Sequence, residues 1–422
     1  MRTLFLTLCA AASLAAALLL VGRLAGVERP AVHKNLTFRG HSFCRQDRLH
    51  ALLWGLGAVA LAWGVSVLYC AIFGDGLSWP ALWDAWKKYD GYHYLGLAER
   101  GYAGYTEGGR PLFLVFFPLY PWLTRLIHLA VPHWQMSAQL LSAGCYVGSC
   151  VLFARLMTEE FGRRTARLAL TFLTAYPFAF FFCSVHTESL FLLLSLVCFY
   201  AIRQHRWPLA GLLGALAALT RMQGVLLALA AFAEYCLTEH PIRKMRDGQW
   251  KPLWRDLWGK LVWMAVMGVG TLVYLGLNWK VAGSPFAFTV FQAERWNQGS
   301  SLFLTALYKL WNGFWHGLEG YVAWTTWGPQ LVLFVFCVAA LIYAVRRLPP
   351  TWSVYFFICV FLNYSLNNPL SCCRYMACAF PLPAALAVAS ARRPGLGRAL
   401  LVAYGVLQGV FLLAYFRGLH VC

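Results

Sequence analysis

An all-α, polytopic membrane fold follows from three features of the sequence. Of its 422 residues, 60% are hydrophobic and only 12% are charged, with a mean hydropathy of +0.59. A soluble domain carries about 25% charged residues, so this chain lacks the polar surface to fold in water. Apolar runs at 4–22, 51–73 and 261–281 approach the roughly 20 residues that carry a helix across a bilayer. These runs are continuous rather than alternating, which selects helices over a barrel.

The first run follows a single Arg and has the outline of a signal peptide. It is longer than a usual signal core, and Val21-Gly22-Arg23-Leu24-Ala25-Gly26 makes a weak cleavage site. It reads as an uncleaved first helix. Further spans are expected at 51–73, 137–157, 167–183, 187–202, 208–221, 222–236, 260–281, 329–345, 352–367, 375–390 and 399–416. The segments 208–221 and 222–236 are short for a crossing. They are expected as a tight hairpin with Thr220-Arg221-Met222-Gln223-Gly224 at its tip.

Orientation comes from Lys and Arg. The net charge of +19 would suggest nucleic acid in a soluble protein. Here the charges sit in short loops between apolar runs, as the positive-inside rule places them on the cytoplasmic side; no nucleic-acid partner is expected. The loop 23–50 carries Arg23, Arg29, Lys34, Arg39, Arg45 and Arg48. The loop 237–260 carries Arg243, Lys244, Arg246, Lys251, Arg255 and Lys260. Arg155, Arg163, Arg164 and Arg167 form another basic turn, and Arg203 with Arg206, Arg346 with Arg347, and Arg392, Arg393 and Arg398 complete the set. The sequon at Asn35-Leu36-Thr37 would then face the cytoplasm and stay unglycosylated.

This orientation makes 112–131 a pair of short helices at the outer membrane surface rather than a span. Pro118, Pro121 and Arg125 interrupt it, and a crossing there would invert the 155–167 turn. Residues 1–50 form an extra N-terminal helix with a basic loop. Residues 51–422 form the main transmembrane domain, with outer loops at 74–136 and 282–327. The 19 Trp and 20 Tyr suit interfacial belts. The 14 Cys are scattered through apolar runs without zinc-site or C-x-x-C spacing, and read as small apolar residues. No Walker or G-x-G-x-x-G motif lies beside a strand. Neither a metal nor a cofactor is expected.

With this topology, the unusual polar residues collect on the outer side: Asp90, Glu99, Glu188, Arg221, Gln223, Glu294, Arg295 and Arg374. A lone charge in lipid costs about 2.5–3.5 kcal/mol or more, so such groups belong in a water-filled cavity. Asp90 precedes a short helical stretch and can serve as its N-cap. It can also serve as a general base, which supplies roughly 100- to 10,000-fold in rate. Arg221, Arg295 and Arg374 can hold a phosphate bidentately, or snorkel to lipid headgroups. Glu188 suits an ion pair with one of these arginines, or the start of a helix.

Asp90, Ala98 and Gly101-Tyr102, followed by Phe116-Phe117-Pro118-Leu119-Tyr120-Pro121, resemble the PIG-V family of mannosyltransferases in the GT-C superfamily. Further matches are Phe161-Gly162-Arg163-Arg164, Tyr176-Pro177-Phe178 with His186-Thr187-Glu188-Ser189-Leu190, Thr220-Arg221 with Gly224, the 283–296 stretch, and Ser371-Cys372-Cys373-Arg374-Tyr375. The resemblance covers about 50–390. Tyr89 stands where the family has Trp, while Trp83-Asp84 supplies a Trp-Asp pair six residues earlier. Asp84 therefore rivals Asp90 as the base, and the spacing to Gly101-Tyr102 favours Asp90. His186 stands where Tyr is usual.

The resemblance implies an inverting hexosyltransferase using a polyprenyl- or dolichyl-phosphate sugar, by default mannose. It implies a catalytic Asp90, donor-phosphate contacts from Arg221, Arg374 and Arg295, and acceptor or supporting roles for Glu188, Asp84, His186 and Gln223. The partners would be this lipid donor, membrane lipids, and a glycolipid, glycan or protein acceptor. The 283–296 and 371–381 patterns point to a bacterial cytoplasmic membrane rather than endoplasmic reticulum. The alternatives are a polytopic transporter or lipid flippase, and a non-catalytic subunit of a glycosylation complex. Against transport stand the absence of an internal repeat and the one-sided polar residues.

Overall fold

The structure is a computed structural model that describes residues 1–26, 40–74 and 76–421. Arg29, Lys34, Arg39 and the Asn35 sequon lie outside the described residues. Among those described, the chain is helical with no strand. Two isolated bridges, Glu107 with Arg110 and Ser300 with Leu366, are its β pairings.

Among the described residues, six helices are long and apolar enough to cross a membrane: Arg2–Ala25, Arg45–Phe73, Trp134–Phe161, Trp250–Ala282, Ala323–Arg347 and Pro394–Phe416. Their number makes this a multi-pass integral membrane protein. Shorter helices fill the bundle between them: Arg163–Thr174, Glu188–Arg203, Trp207–Thr220, Leu227–Glu239, Pro350–Asn363 and Pro381–Arg392. The N-terminal helix packs on Gly328–Arg347, Phe303–His316 and Pro350–Asn363, with Phe5 against Trp311 at 4.6 Å between rings.

Several expected spans are shorter or broken, and proline is the usual cause. The segment expected at 167–183 stops as a helix at Thr174. Pro177 disfavours helical backbone at Tyr176, and the chain continues as a 3-10 turn over Ala179–Cys183. The segment expected at 375–390 is a five-residue helix, Cys372–Met376, followed by Pro381–Arg392 with Pro381 in its first turn. The 260–281 span starts earlier, at Trp250, and is divided at Met267 and Gly268.

The expected hairpin is present. Helix Trp207–Thr220 ends where Arg221 turns extended, with φ −155° and ψ 146°, and a 3-10 turn over Met222–Leu226 leads into Leu227–Glu239. Gly224 is required at this tip. A Cβ there would stand 2.2 Å from the Ala217 carbonyl carbon and the Ala218 nitrogen, and backbone cannot yield.

The segment 76–133 carries short helices Trp79–Trp86, Gly91–Gly104 and Leu119–His128, with a 3-10 turn at Leu112–Val115. The 112–131 segment is thus the interrupted pair the prolines predict. Arg125 ties this layer together by donating from Nε to the Ala98 carbonyl at 2.7 Å and from Nη2 to the Glu99 carbonyl at 2.8 Å. Tyr102 donates to the Phe116 carbonyl at 2.8 Å.

The helices alternate in direction, so residues 160, 203, 234 and 351 meet at one end of the bundle and 188, 221 and 374 at the other. Arg203, counted among the basic turns, lies at the basic end but is fully buried, donating from Nε to Glu160 at 2.7 Å and from Nη1 to Glu234 at 2.5 Å. Thr351 and Trp352 complete the acceptors' shells, at 2.5 and 2.9 Å. Two carboxylates draw the guanidinium inward, since a buried charge needs full pairing.

Candidate active site

At the end of the bundle opposite the basic turns, four charged side chains from distant parts of the sequence converge. Asp90 comes from the start of Gly91–Gly104, Glu188 from the first turn of Glu188–Arg203, Arg221 from the hairpin tip, and Arg374 from the short helix Cys372–Met376. Arg374 Nη2 donates to Asp90 Oδ2 at 2.9 Å. Its Nε lies 3.1 Å from Glu188 Oε1. Arg221 Nη2 donates to that same oxygen at 2.5 Å, and its Nε donates to Thr187 Oγ1 at 2.8 Å. One carboxylate oxygen therefore bridges two guanidinium groups. Two positive and two negative charges balance.

Aromatic faces support both cations. The Arg221 and Arg374 guanidinium carbons lie 4.8 and 5.1 Å from the Tyr375 ring centre. Phe191 and Phe181 flank them at 5.8 and 5.5 Å. Such contacts are worth about 2 kcal/mol or more when desolvated.

Asp90 occupies the N-cap position of Gly91–Gly104, but its side chain makes no capping hydrogen bond there and turns to Arg374 instead. The capping explanation for an acid at this position therefore fails. Asp90 is a quarter exposed, whereas Glu188 is wholly buried. Burial alone would raise the Asp90 carboxyl, yet the Arg374 guanidinium holds it below the ordinary carboxylate value. It is ionised at neutral pH. His186 is buried beside it. Burial, then Arg374, push its imidazole down to about 3, so it is neutral. Its Nδ1 meets Ser184 Oγ at 2.8 Å. His186 Nε2 and Glu188 Oε2 are buried without a hydrogen-bond partner among the described residues.

The remaining predicted residues stand further out. Gln223 donates to Asn363 Oδ1 at 3.3 Å in a narrow cleft that Arg221, Phe191, Tyr355 and Tyr375 also line. Asp84 is 63% exposed and pairs with Lys87 at 3.2 Å; no contact ties it to the cluster among the described residues. Arg295 lies in an exposed outer group, paired with Glu107 at 3.2 Å beside the Arg110–Glu294 pair at 2.7 Å. His93 lies within electrostatic reach of both groups. Burial lowers it first, Asp90 and Glu107 act against that, and Arg295 reinforces it. Thr187, Tyr375 and Phe181 were not singled out from the sequence. Thr187 and Tyr375 lie inside the motif stretches around Glu188 and Arg374, which was their signal. No group of three or more His, Cys, Asp or Glu able to hold a metal occurs among the described residues.

Residues 111–254 match the family described as dolichyl-phosphate-mannose-protein mannosyltransferase. The match takes in His186, Glu188, Arg221 and Gln223 but neither Asp90 nor Arg374. Seven solved chains resemble this one in fold. The chain aligns with ArnT from Cupriavidus metallidurans, determined bound to undecaprenyl phosphate, at 16% identity and a TM-score of 0.47, over 87% of this chain and 75% of that one. It aligns with the oligosaccharyltransferase of Archaeoglobus fulgidus in the apo form at 14% identity and a TM-score of 0.46, over 87% of this chain and 56% of that one. The archaeal oligosaccharyltransferase AglB from Archaeoglobus fulgidus, in complex with an inhibitory peptide and a dolichol-phosphate, aligns at 14% identity and a TM-score of 0.44, over 87% of this chain and 56% of that one. This chain thus spans little more than half of the archaeal enzyme. Comparison with curated proteins finds no match.

Proposed function

We propose that this protein is a membrane glycosyltransferase of GT-C type. In this reading it transfers a sugar, mannose by default, from a polyprenyl- or dolichyl-phosphate donor to an acceptor hydroxyl on the outer face. The observation that carries the reading is the buried Asp90–Arg374–Glu188–Arg221 cluster at the end of the bundle away from the basic turns. The partial match to a dolichyl-phosphate-mannose-dependent family supports the donor class. The PIG-V-like motif order supports mannose.

The cluster is a closed set of ion pairs, and substrates open it. The donor phosphate competes for Arg374 and Arg221, whose forked donors match phosphate oxygens. Withdrawal of Arg374 frees Asp90 for the acceptor. The acceptor oxygen attacks the anomeric carbon, its proton passes to Asp90, and the bond from that carbon to the phosphate oxygen breaks. The lipid leaves as a phosphate monoester, its new charge held by the two arginines. One displacement inverts the anomeric centre. His186, neutral and with a free buried Nε2, suits a hydrogen bond to a sugar hydroxyl. Glu188 holds both arginines in register.

The test is reconstitution of the full chain in vesicles with radiolabelled polyprenyl-phosphate mannose and membrane extracts as acceptor. Wild type should pass label to a new product, and Asp90→Asn should not. Equal labelling by both removes Asp90 from the chemistry. Movement of the donor between leaflets with no product, in wild type and variant alike, replaces the enzyme with a flippase.

A further inference from the structure

At the basic end of the bundle, helices Arg163–Thr174, Pro381–Arg392 and Pro394–Phe416 line a half-open cavity of about 550 Å³. Four arginines stand around it: Arg163, Arg164, Arg167 and Arg398. Arg163 is engaged, its Nε 2.9 Å from Asp47. Arg164, Arg167 and Arg398 are exposed and have no ion pair among the described residues. No acid lines the cavity.

A buried polar atom also faces it. Ser390 is 3% exposed and its Oγ has no hydrogen-bond partner among the described residues. Gly397 lies directly across. A Cβ at that position would come within 2.7 Å of Ser390 Oγ, so glycine lets the two helices meet at this wall without displacing the hydroxyl. Two helices of 12 and 23 residues begin at this cavity, and their first-turn amides add partial positive charge. Such a constellation wants a phosphate. The rest of the lining, Leu168 and Leu401 among it, is apolar, which a small soluble anion would leave unused.

We propose that this cavity binds the phosphodiester headgroup of an anionic phospholipid from the leaflet on the basic side, with an acyl chain against Leu168 and Leu401. Basic pockets between membrane helices on the cytoplasmic side suit anionic headgroups. The site lies at the opposite end from the Asp90 cluster and does not depend on the glycosyltransferase reading.

The full chain in detergent is titrated with phosphatidylglycerol, phosphatidylcholine and inorganic phosphate, and bound lipid is read by native mass spectrometry. Phosphatidylglycerol should bind at least about tenfold tighter than phosphatidylcholine, and R164Q/R167Q/R398Q should weaken it about tenfold or more. R246Q/K251Q/R255Q removes the same charge from the same end outside the cavity and should leave binding intact. Equal binding of the two lipids, equal losses in the two triple variants, or full displacement of lipid by equimolar inorganic phosphate would each overturn the proposal.

Discussion

Arg374 Nη2 and Asp90 Oδ2 meet at 2.9 Å across 284 residues of sequence. The segment before Gly91–Gly104 is thereby clamped to the C-terminal part of the bundle. The same bond engages the one partly exposed acid of the cluster, and in the proposed reaction another anion must claim the guanidinium to release it.

Asp90→Asn tests the base. The amide preserves size and a hydrogen bond to Arg374 but cannot take a proton. Transfer should fall by about 100- to 10,000-fold, with the circular dichroism spectrum and size-exclusion profile of wild type. A loss under threefold removes the catalytic role.

Glu188→Gln and Arg295→Gln should separate the inner cluster from the outer group. Glu188 is fully buried and serves two arginines through one oxygen. Its neutralisation strands positive charge in a dry site and should cost about 3–5 kcal/mol, seen as a large fall in thermal unfolding temperature. Arg295 and Glu107 are both about half exposed, and such pairs are worth about 0–1 kcal/mol. Arg295→Gln should unfold near the wild-type temperature and keep most of its transfer activity.

The pH dependence of Asp90 has a definite sign. Its folded value lies below its ordinary one. The stability it contributes is complete above the ordinary carboxylate value and is lost only as pH falls through the lower folded value. Between pH 7 and 5 this group should therefore change neither stability nor rate. In Arg374→Gln the burial effect is left unopposed by its main counter-charge, so the carboxyl rises. That variant should be destabilised at pH 7 and recover as pH falls towards 5, the reverse of wild type. Thermal unfolding at stepped pH reads the difference.

These residues show how far the sequence could be read. Hydropathy and Lys/Arg placement gave the helical class, the hairpin at Arg221 and the collection of Asp90, Glu188, Arg221 and Arg374 at one end, because composition along the chain decides which segments prefer lipid. The same signals grouped Asp84 and Arg295 with them. Charge counting assigns a residue to a side of the membrane but not to a position on it. The sharing of Glu188 Oε1 by two arginines depends on which helix ends meet, which is a matter of packing. The burial of Arg203 was not legible for a similar reason. Its partners Glu160 and Glu234 lie 43 and 31 residues away, so nothing local marks it as buried.

Gly224→Ala probes how the hairpin tip places Arg221. The tip must turn within Met222–Leu226 while lying against the end of the preceding helix, and the 2.2 Å approach to Ala217 and Ala218 leaves no room for a methyl group. Overpacking of this kind typically costs about 1–3 kcal/mol. Here the displaced element carries a guanidinium bonded to Thr187 and Glu188, so a shift of the tip acts directly on the cluster. If Arg221 holds the departing phosphate, the variant should lose kcat more than it gains in KM, because that charge develops in the transition state. Gly276→Ala, in the same bundle with nothing within 4 Å of the added methyl group, should change neither. Equal behaviour of the two variants would show that the tip does not position Arg221 for the reaction.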